Sequence, residues 1–257
     1  MPMPEDADRS DAAAILEATD VTVRFGGVTA LDGASLSVVA GRITGLIGPN
    51  GAGKTTMFDV LSGLTPLDSG RVRLAGRNIT RMSPHRRARL GMARTFQRLE
   101  LFAALTVQEN VECAVGMSKG FRGSTAASAR RVADQLVRRV GLRPVAHVRA
   151  GLLPTGQARL VEVARALATS PKVLLLDEPA SGQSESETDH FAALLRELAA
   201  DGLGILIIEH DMDLVMSVSN DVVVLNFGRV IAHASPDAVR HDPAVISAYL
   251  GAGSAHD

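Results

Sequence analysis

A glycine-rich segment near residue 50 carries the residue types needed to bind phosphate groups. It reads Gly48-Pro49-Asn50-Gly51-Ala52-Gly53-Lys54-Thr55-Thr56, which fits the phosphate-loop pattern of Gly, four residues, then Gly-Lys-Ser/Thr. Its glycines let successive backbone N–H groups converge on phosphate oxygens at a helix N-terminus. Lys54 adds a positive charge for the β- and γ-phosphates, and Thr55 offers a hydroxyl to Mg²⁺. The segment predicts a nucleoside triphosphate site with contacts from Gly48, Asn50, Gly51, Ala52, Gly53, Lys54, Thr55 and Thr56.

Two carboxylates follow an apolar run in the second half of the chain, in the segment Leu174-Leu175-Leu176-Asp177-Glu178-Pro179. An apolar strand that ends in acids places their carboxylates at the carboxyl edge of a parallel sheet, where α/β folds bind ligands. Asp177 can hold Mg²⁺ through its water shell, and Glu178 can orient and deprotonate an attacking water. A plain capping carboxylate is the alternative. With a phosphate loop upstream, nucleotide hydrolysis is the better interpretation.

Short apolar runs predict the elements that position these residues. Arg42 to Ile47 predicts a buried strand entering the phosphate loop, and Thr55 to Leu61 predicts a helix leaving it. The continuous apolar runs Val173–Leu176 and Gly204–Ile208 are typical of strands buried on both faces of a parallel sheet. The acids are therefore expected at the carboxyl edge of the parallel sheet.

The segment before the phosphate loop predicts a small antiparallel sheet. Ile15 to Phe25 and Ala34 to Val39 alternate or cluster apolar residues, with turns expected at 26–27 and 32–33. A further short strand, Arg71 to Leu74, is expected after a turn at 68–70.

The rest of the chain is mainly helical in pattern. The predicted helices are Val107 to about Arg149 with an interruption at 119–124, a helix with its apolar face at Leu160 to Leu167, and then His190–Ala200, Met212–Ser219 and Asp242–Leu250. Val222–Leu225 and Val230–Ala232 are predicted to pair around a turn at 226–228. This order predicts an α/β fold with a parallel-sheet core, an N-terminal antiparallel β subdomain and an inserted α-helical subdomain at about 98–168. We expect one domain over residues 14–251, between a disordered tail at 1–13 and a short tail at 252–257.

Composition excludes several functional classes. The formal charge of −1 gives no reason to expect nucleic acid as a partner, and the single cysteine, Cys113, excludes an intramolecular disulfide. The residues His85, Arg86, Arg87, Arg89, Arg94 and Arg98 form a basic stretch, which we interpret as a solvated helix face. The N-terminus lacks the apolar centre of a secretory signal, and the apolar runs are too short to span a membrane. Any membrane association is therefore expected to come through a partner.

From about Ile15 to Leu250 the chain resembles the ATP-binding subunits of ABC transporters. The segments that carry this resemblance are the phosphate loop, Arg94-Thr95-Phe96-Gln97, Leu153-Pro154-Thr155-Gly156-Gln157, Leu174 to Pro179, and Ile208-Glu209-His210-Asp211. The resemblance implies the fold of an ABC-type P-loop ATPase that uses ATP and Mg²⁺. It also implies a second ABC ATPase subunit, so that two subunits close over two ATP molecules head to tail and part after hydrolysis.

The resemblance assigns roles to individual residues. Phe25 falls where the family stacks an aromatic ring on adenine, although a core position is also plausible. Gln97 would contact Mg²⁺ and the attacking water, and His210 would contact the γ-phosphate and help hold Glu178. Leu153, Pro154, Thr155, Gly156 and Gln157 form the family's signature segment, which completes the ATP site of the opposite subunit.

Further segments are similar to the ATPases of branched-chain amino acid importers. They are Arg24 to Val28, Leu101-Phe102, Thr106 to Val111, Glu209 to Met212, and the ending Asp242 to Gly251. This subfamily implies integral membrane permease subunits, an extracytoplasmic solute-binding protein acting indirectly, and a peripheral location on the cytoplasmic face of the cell membrane. Urea and short-amide importers and lipopolysaccharide-export ATPases share much of the pattern. A lipid-type exporter ATPase, a nucleotide-binding scaffold with little turnover, and a non-transport ABC protein remain alternatives.

Two segments depart from the wider family. Pro154 and Thr155 stand where Ser and Gly are common, and Gln183 and Ser184 stand where Leu and Asp or Asn are usual. Both segments contribute to the site of the opposite subunit in this family. We therefore expect a heterodimer with a second, similar ATPase rather than a homodimer, and a stable, fully active ATP-bound homodimer would contradict this.

Overall fold

The computed structural model describes residues 13–95, 99–118 and 125–252, with side chains up to Tyr249. All ten described strands lie in two sheets. The larger has the order β10 (Arg229–Ala234), β9 (Asp221–Asn226), β3 (Ile43–Ile47), β8 (Gly204–Ile208), β7 (Val173–Asp177) and β6 (Met92–Arg94), and the smaller has the order β2 (Val28–Val39), β1 (Ala14–Phe25), β4 (Ser69–Leu74) and β5 (Arg77–Asn78). Helices cover the outer face of the larger sheet, and the smaller sheet packs on its other side.

The larger sheet is parallel except at one edge. Its strands are β3 (Ile43–Ile47), β6 (Met92–Arg94), β7 (Val173–Asp177), β8 (Gly204–Ile208), β9 (Asp221–Asn226) and β10 (Arg229–Ala234), and only the β9–β10 pair is antiparallel. Every residue of β3, β7 and β8 is buried, which accounts for their continuous apolar sequences. The pairs Leu46–Ile208 and Asp177–Ile208 bring three carboxyl ends to one edge.

The smaller sheet is antiparallel and consists of β1 (Ala14–Phe25), β2 (Val28–Val39), β4 (Ser69–Leu74) and β5 (Arg77–Asn78). The turn at 26–27 is confirmed, but the turn predicted at Asp32-Gly33 is wrong because β2 continues through it. One extra residue of β2 lies between the Val21–Ala34 and Val23–Leu31 pairs, so this is a bulge. The turn predicted at 68–70 is wrong for its last two residues, because β4 begins at Ser69.

The described helices are α1 (Lys54–Ser62), α2 (Pro84–Arg89), α3 (Val107–Met117), α4 (Ala126–Arg139), α5 (Thr155–Leu167), α6 (Glu185–Ala200), α7 (Met212–Val218), α8 (Pro236–Arg240) and α9 (Pro243–Ala252). The helical pattern expected up to Arg149 is wrong beyond α4, where the chain makes short 3-10 turns at Arg143–Val145 and Ala150–Leu152. Helix α6 begins five residues before the predicted His190, because Glu187 accepts hydrogen bonds from Ser184 at its start. Helix α8 has no predicted counterpart.

Two apolar clusters flank the larger sheet. Phe58 of α1 and Leu16 and Leu36 of the smaller sheet pack on the face that also presents Leu46 and Leu175. On the opposite face, side chains from α3 to α6 pack around Leu174, Leu176 and Ile205, for example Val111, Ala133, Val161 and Phe191. Alternation along each strand sends neighbouring residues to the two clusters, so both faces of the sheet become core.

Arg87 contradicts the predicted solvated helix face. It is only 2% exposed, whereas Arg86 and Arg89 on the same helix are exposed. Its guanidinium donates to the backbone oxygens of Val60 and Leu61, both at 2.6 Å, and also to those of Met82 and Thr80. Carbonyls in the last turn of a helix lack helical partners, and Arg87 satisfies them at the end of α1. Burial lowers the pKa of Arg87 to about 10.

Candidate functional site

The phosphate loop joins β3 to α1 and depends on glycine at two positions. Gly48 has φ 152°, and a Cβ there would lie 2.1 Å from the carbonyl oxygen of Leu225. Gly53 has φ 106°, and its Cβ would lie 2.6 Å from the carbonyl oxygen of Ala30. Any side chain would therefore displace backbone, since real Cβ atoms do not approach so closely. The backbone of β9 packs against Gly48 and that of β2 against Gly53, and these contacts hold the loop in its conformation.

The Lys54 ammonium is held inside this loop. It donates to the backbone oxygens of Gly48 at 2.6 Å and Pro49 at 3.0 Å, and the residue is 8% exposed. Burial lowers the pKa of Lys54, and the charge of Glu178 opposes that shift. Helix α1 has Gly53 as its N-cap, and no side chain caps its start. Its first N–H groups can therefore bind a ligand.

The other predicted phosphate contacts lie around this lysine. Asn50, Gly51 and Thr55 are exposed, while Ala52 is buried. The carbonyl of Ala52 accepts the Gly228 N–H at 2.9 Å, which ties the loop to the β9–β10 turn. The structure thus brings residues 48–56 together at the carboxyl edge of the parallel sheet.

Asp177 ends β7 and is bound by an arginine that the sequence interpretation placed on a solvated face. Arg94, at the end of β6, donates to Asp177 Oδ2 at 3.1 Å and to Asp59 Oδ1 at 2.6 Å. The side chains of Arg94 and Asp177 are only 10% and 8% exposed. Burial raises the pKa of Asp177, and the Arg94 charge and hydrogen bond oppose the increase. The solvated-face interpretation is therefore wrong for Arg94. The apolar pair before it, Met92-Ala93, was the available signal, because it predicts a strand leading to the same edge.

Glu178 has a strained backbone and a defined side-chain partner. Its φ of 48° is in the left-handed region, which non-glycine residues rarely adopt. Its N–H donates to the carbonyl of Ile208 at 2.9 Å, and its Oε1 lies 2.8 Å from Nε2 of His210. The two side chains meet because Asp177 pairs with Ile208, so the residues that follow both strands emerge side by side.

Glu209 is a site residue that sequence reasoning did not single out. It is 5% exposed, and its carboxylate accepts the N–H of Ala180 at 2.6 Å and of His210 at 3.1 Å. Burial raises the pKa of Glu209, and these hydrogen bonds oppose the increase. The side chain joins the loop after β7 to the loop after β8. An acid directly after a fully apolar strand was the signal, the same one that identified Asp177.

Phe25 and Gln97 are two further predicted contacts. Phe25 ends β1 and is 54% exposed, so its ring is not a core residue. That exposure favours the stacking interpretation over the core alternative. Gln97, predicted to contact Mg²⁺ and the water, lies outside the described residues.

The signature segment begins α5. Pro154 and Thr155 are exposed, Leu153 and Gln157 are half-buried, and Gly156 is buried. Helix α5 has no side-chain cap. A Cβ on Gly156 would lie 2.8 Å from Glu187 Oε1 and 3.3 Å from Gln183 Cγ, so the segment packs on the loop after β7 and the start of α6.

The substituted loop after β7 has its own internal contacts. Gln183 donates from Nε2 to the carbonyl of Pro179 at 3.0 Å, which turns its side chain back into the subunit. Ser184 is the N-cap residue of α6. Serine, aspartate and asparagine are all good N-cap residues, so this substitution keeps the capping function.

Membrane and metal features were sought across the described part of the chain. There, none of the helices combines the length and the apolar character that crossing a membrane requires. In the same residues, His, Cys, Asp and Glu side chains form no group of three suited to hold a metal ion.

A family model described as ABC transporter matches residues 31–181, more than half of the chain. The chain belongs to the ABC transporter family. A second model, described as branched-chain amino acid ATP-binding cassette transporter, matches residues 229–255 of this ABC protein. The family resemblance drawn from the sequence is confirmed.

Individual relatives agree with the family models. The ABC chain is 41% identical over 250 residues to the high-affinity branched-chain amino acid transport ATP-binding protein BraF of Pseudomonas aeruginosa, covering 92% of this chain and 98% of that protein. It is 38% identical over 250 residues to LivG of Escherichia coli K12, which has the same description, with the same coverage. Among solved structures, a nucleotide-free ATP-binding cassette from an ABC transporter has a TM-score of 0.82 at 31% identity, covering 92% of this chain and 99% of that one. The predicted fold class is thereby confirmed, while the roles of individual site residues stay predictions.

Proposed function

We propose that this ABC chain is the ATP-hydrolysing motor subunit of a membrane importer for branched-chain amino acids or similar small amino acids and amides. The observation that carries the proposal is the Glu178–His210 pair, 2.8 Å apart, at the sheet edge that also holds the Lys54 loop. A base beside a phosphate-binding loop is the arrangement that nucleotide hydrolysis requires. The names of BraF and LivG and the match at residues 229–255 support the branched-chain class of substrate.

ATP and Mg²⁺ fit the residues at this edge. The first N–H groups of α1 and the Lys54 ammonium would hold the phosphates, and the exposed Phe25 ring would stack on adenine. The Thr55 hydroxyl, the Asp177 carboxylate and the predicted contact Gln97 provide oxygen atoms, the ligand type that Mg²⁺ prefers. When bound, Mg²⁺ would offset negative charge on the β- and γ-phosphates.

The chain's own residues supply the acid–base chemistry. Glu178 would accept a proton from the attacking water, and His210 orients its carboxylate through the 2.8 Å contact. Glu209 in turn fixes the backbone of His210. The N–H bond of Glu178 to the carbonyl of Ile208 holds its strained backbone in place.

The signature segment would complete the site of a second ABC ATPase subunit. Thr155 is exposed at the uncapped start of α5, where N–H groups and a hydroxyl can meet the γ-phosphate of the opposite subunit. The second subunit would be a similar ATPase or another copy of this chain, and the heterodimer remains our expectation.

A groove beside the site would receive the permease. Its volume is about 450 Å³, and it lies between α2, α3 and α5. Its lining is mostly apolar and includes Leu64, Ala88, Ala114, Met117 and Ala166. Leu64 and Met117 are 52% and 70% exposed, as expected of a surface that a partner covers. Arg94 and Thr95 also line it, which places the groove next to Asp177. Through the permease the subunit would sit peripherally on the cytoplasmic face of the membrane and respond indirectly to a solute-binding protein.

Mg-ATP hydrolysis by the purified chain and by Glu178→Gln tests the motor role. We expect wild type to hydrolyse ATP and the variant to lose about 10²- to 10⁴-fold in kcat, because an amide cannot accept the proton. Light scattering of the variant with ATP tests self-association: a monomer would agree with the expected heterodimer, and an ATP-dependent dimer would show that a second copy of this chain can be the partner. A variant that hydrolyses at the wild-type rate would contradict the role of Glu178, and binding without turnover by wild type would favour a nucleotide-binding scaffold.

Ala88→Glu tests the docking groove. Ala88 is exposed on α2 and lies outside the nucleotide site, so the variant should fold and keep its basal hydrolysis. Co-expression with the branched-chain permease subunits, followed by membrane co-purification, should show loss of association because a charge enters an apolar contact. Arg89→Glu, on the exposed face of the same helix but not in the groove lining, is the control. Equal association of both variants would refute the groove as the docking surface.

A further inference from the structure

Arg94 joins the helix that leaves the phosphate loop to the acid that ends β7. Its Nη1 donates to Asp59 Oδ1 at 2.6 Å and to Ser62 Oγ at 2.9 Å, and both of these residues belong to α1. Its guanidinium carbon lies 5.6 Å from the centroid of the Phe58 ring on the same helix. Its Nη2 donates to Asp177 Oδ2 at 3.1 Å. The guanidinium is therefore fixed against α1 and holds one oxygen of Asp177.

The face of α1 that binds Arg94 is also the face that carries Thr55. Thr55, Asp59 and Ser62 follow one another at intervals of four and three residues, and this spacing places them on one side of a helix. Within the described part of the chain, Thr55 and Asp177 are the two residues that we propose as Mg²⁺ contacts. Arg94 bridges the elements that carry them, so its contacts set where the Asp177 carboxylate lies relative to this face of α1.

We propose that Arg94 is a positioning residue that fixes the Asp177 carboxylate for Mg²⁺ and so sets how much the metal adds to nucleotide binding. The proposal rests on the ATP and Mg²⁺ site of the proposed function. Because Arg94 binds Oδ2, the carboxylate is held in one orientation, and Oδ1 is the oxygen that can accept from the water shell of the metal. Removing a group that orients a metal ligand typically lowers metal affinity by about 10- to 100-fold.

Arginine suits this role better than any other cation. Its guanidinium is planar and carries several donors in a fixed fork, so it can hold two carboxylates at once in a defined geometry. The side chains of Arg94 and Asp177 are 10% and 8% exposed, and that of Asp59 is 29% exposed. Arg94→Lys would keep the positive charge beside both acids. A single ammonium nitrogen on a flexible chain cannot reproduce the fork, so the charge would stay while the orientation of Asp177 is lost.

The metal contribution can be measured with adenylyl imidodiphosphate, an ATP analogue that resists hydrolysis. Isothermal titration calorimetry on the full chain gives its Kd with EDTA and its Kd with Mg²⁺, and the ratio of the first to the second is the gain from the metal. For Arg94→Lys we expect this ratio to fall about tenfold. The Kd with EDTA should stay within about twofold of wild type, because Lys54 and the first N–H groups of α1 can bind phosphates without the metal.

Asp59→Ala tests the same arrangement from the side of α1. It leaves Arg94 and Asp177 in place and removes one anchor of the guanidinium, so the ratio should fall, but by less than in Arg94→Lys. Asp59 is partly exposed, so this variant should fold even where Arg94→Lys does not. Asp221→Ala is the matched control, because Asp221 also pairs with an arginine, Arg42 at 3.9 Å, but begins β9 at the opposite edge of the sheet. Its ratio should equal that of wild type.

Thermal unfolding distinguishes positioning from a general loss of stability. Arg94→Lys and Asp221→Ala should both lower the Tm, while only Arg94→Lys should lower the ratio. An unchanged ratio in Arg94→Lys or in Asp59→Ala would overturn the proposal, and so would an equal fall in Asp221→Ala. A wild-type ratio near one is a different result, because it would refute the metal site of the proposed function and the positioning role with it. The titration needs no turnover, so it decides between these outcomes even if the subunit does not hydrolyse ATP.

Discussion

The two parts of the chain expected to contact ATP differ in burial: the phosphate loop with the acid at the end of β7, and the signature segment. Lys54 and Asp177 are 8% and 5% exposed, and each is bound by groups of its own chain. Pro154 and Thr155 of the signature segment are exposed at the start of α5. One half of the site is thus assembled within the subunit, and the other is presented outward.

Sheet topology accounts for this difference. Strands β3, β7 and β8 are neighbours, so their carboxyl ends place the loop, the acids and His210 together without a partner. The signature begins a helix of the inserted subdomain and packs on the loop after β7 through the buried Gly156, while Pro154 and Thr155 are exposed. The comparison predicts that variants in the first half weaken binding in the monomer, while variants in the second act only in the assembled dimer.

Thr155→Glu should have the largest effect and should be confined to turnover. A carboxylate at the start of α5 would repel the γ-phosphate of the opposite subunit, so we expect kcat to fall by about 10²- to 10³-fold. The Kd for ADP should not change, because that nucleotide binds to the loop of its own subunit. Steady-state hydrolysis and calorimetry are the two measurements.

Lys54→Ala is the matched variant in the other half. Loss of a charged hydrogen bond to phosphate should weaken ADP binding by about 10- to 100-fold. Weakened ADP binding by Thr155→Glu, or unchanged binding by Lys54→Ala, would break the distinction between the two halves.

Arg94→Met tests how strongly the assembled half depends on a buried ion pair. Removing one partner of a buried pair leaves Asp177 uncompensated, so we expect a loss of about 3 kcal/mol in the free energy of unfolding. Arg86→Met, an exposed arginine of the same basic stretch, should change it by less than about 0.5 kcal/mol. Urea unfolding followed by circular dichroism measures both, and equal losses would contradict the structural distinction between these arginines.

The smallest expected effect concerns pH. Burial raises the pKa of Asp177 above its ordinary value of 3.8, so the folded state holds this proton more tightly than the unfolded state. Its contribution to stability is then fully present below pH 3.8 and is lost as the pH rises through the folded pKa. In Asp177→Asn this pH dependence of stability should disappear. The Tm of the variant should therefore rise relative to the Tm of wild type as the pH increases toward neutrality. Parallel Tm profiles of the two proteins would show that Asp177 does not titrate differently in the two states.

Local patterns gave the core of the fold correctly. The apolar runs at 173–176 and 204–208 became buried strands β7 and β8, and the paired strands around 226–228 became β9 and β10. These predictions succeed because hydrophobic period and turn residues are local properties. The turn predicted at Asp32-Gly33 is wrong because a bulge and a turn use the same residue types, and only the pairing of β2 with Val21 and Val23 distinguishes them.

The sequence by itself determined the phosphate loop, the acids after β7 and the family, because these depend on residue types at fixed spacing along the chain. The tertiary structure alone decided which polar residues are buried together. From the sequence alone, Arg87 and Arg94 are interpreted as solvated charges. In the structure Arg87 donates to carbonyls of α1, and Arg94 donates to the carboxylates of Asp59 and Asp177. Pairing between distant segments depends on how sheets and helices stack, and no local pattern records it.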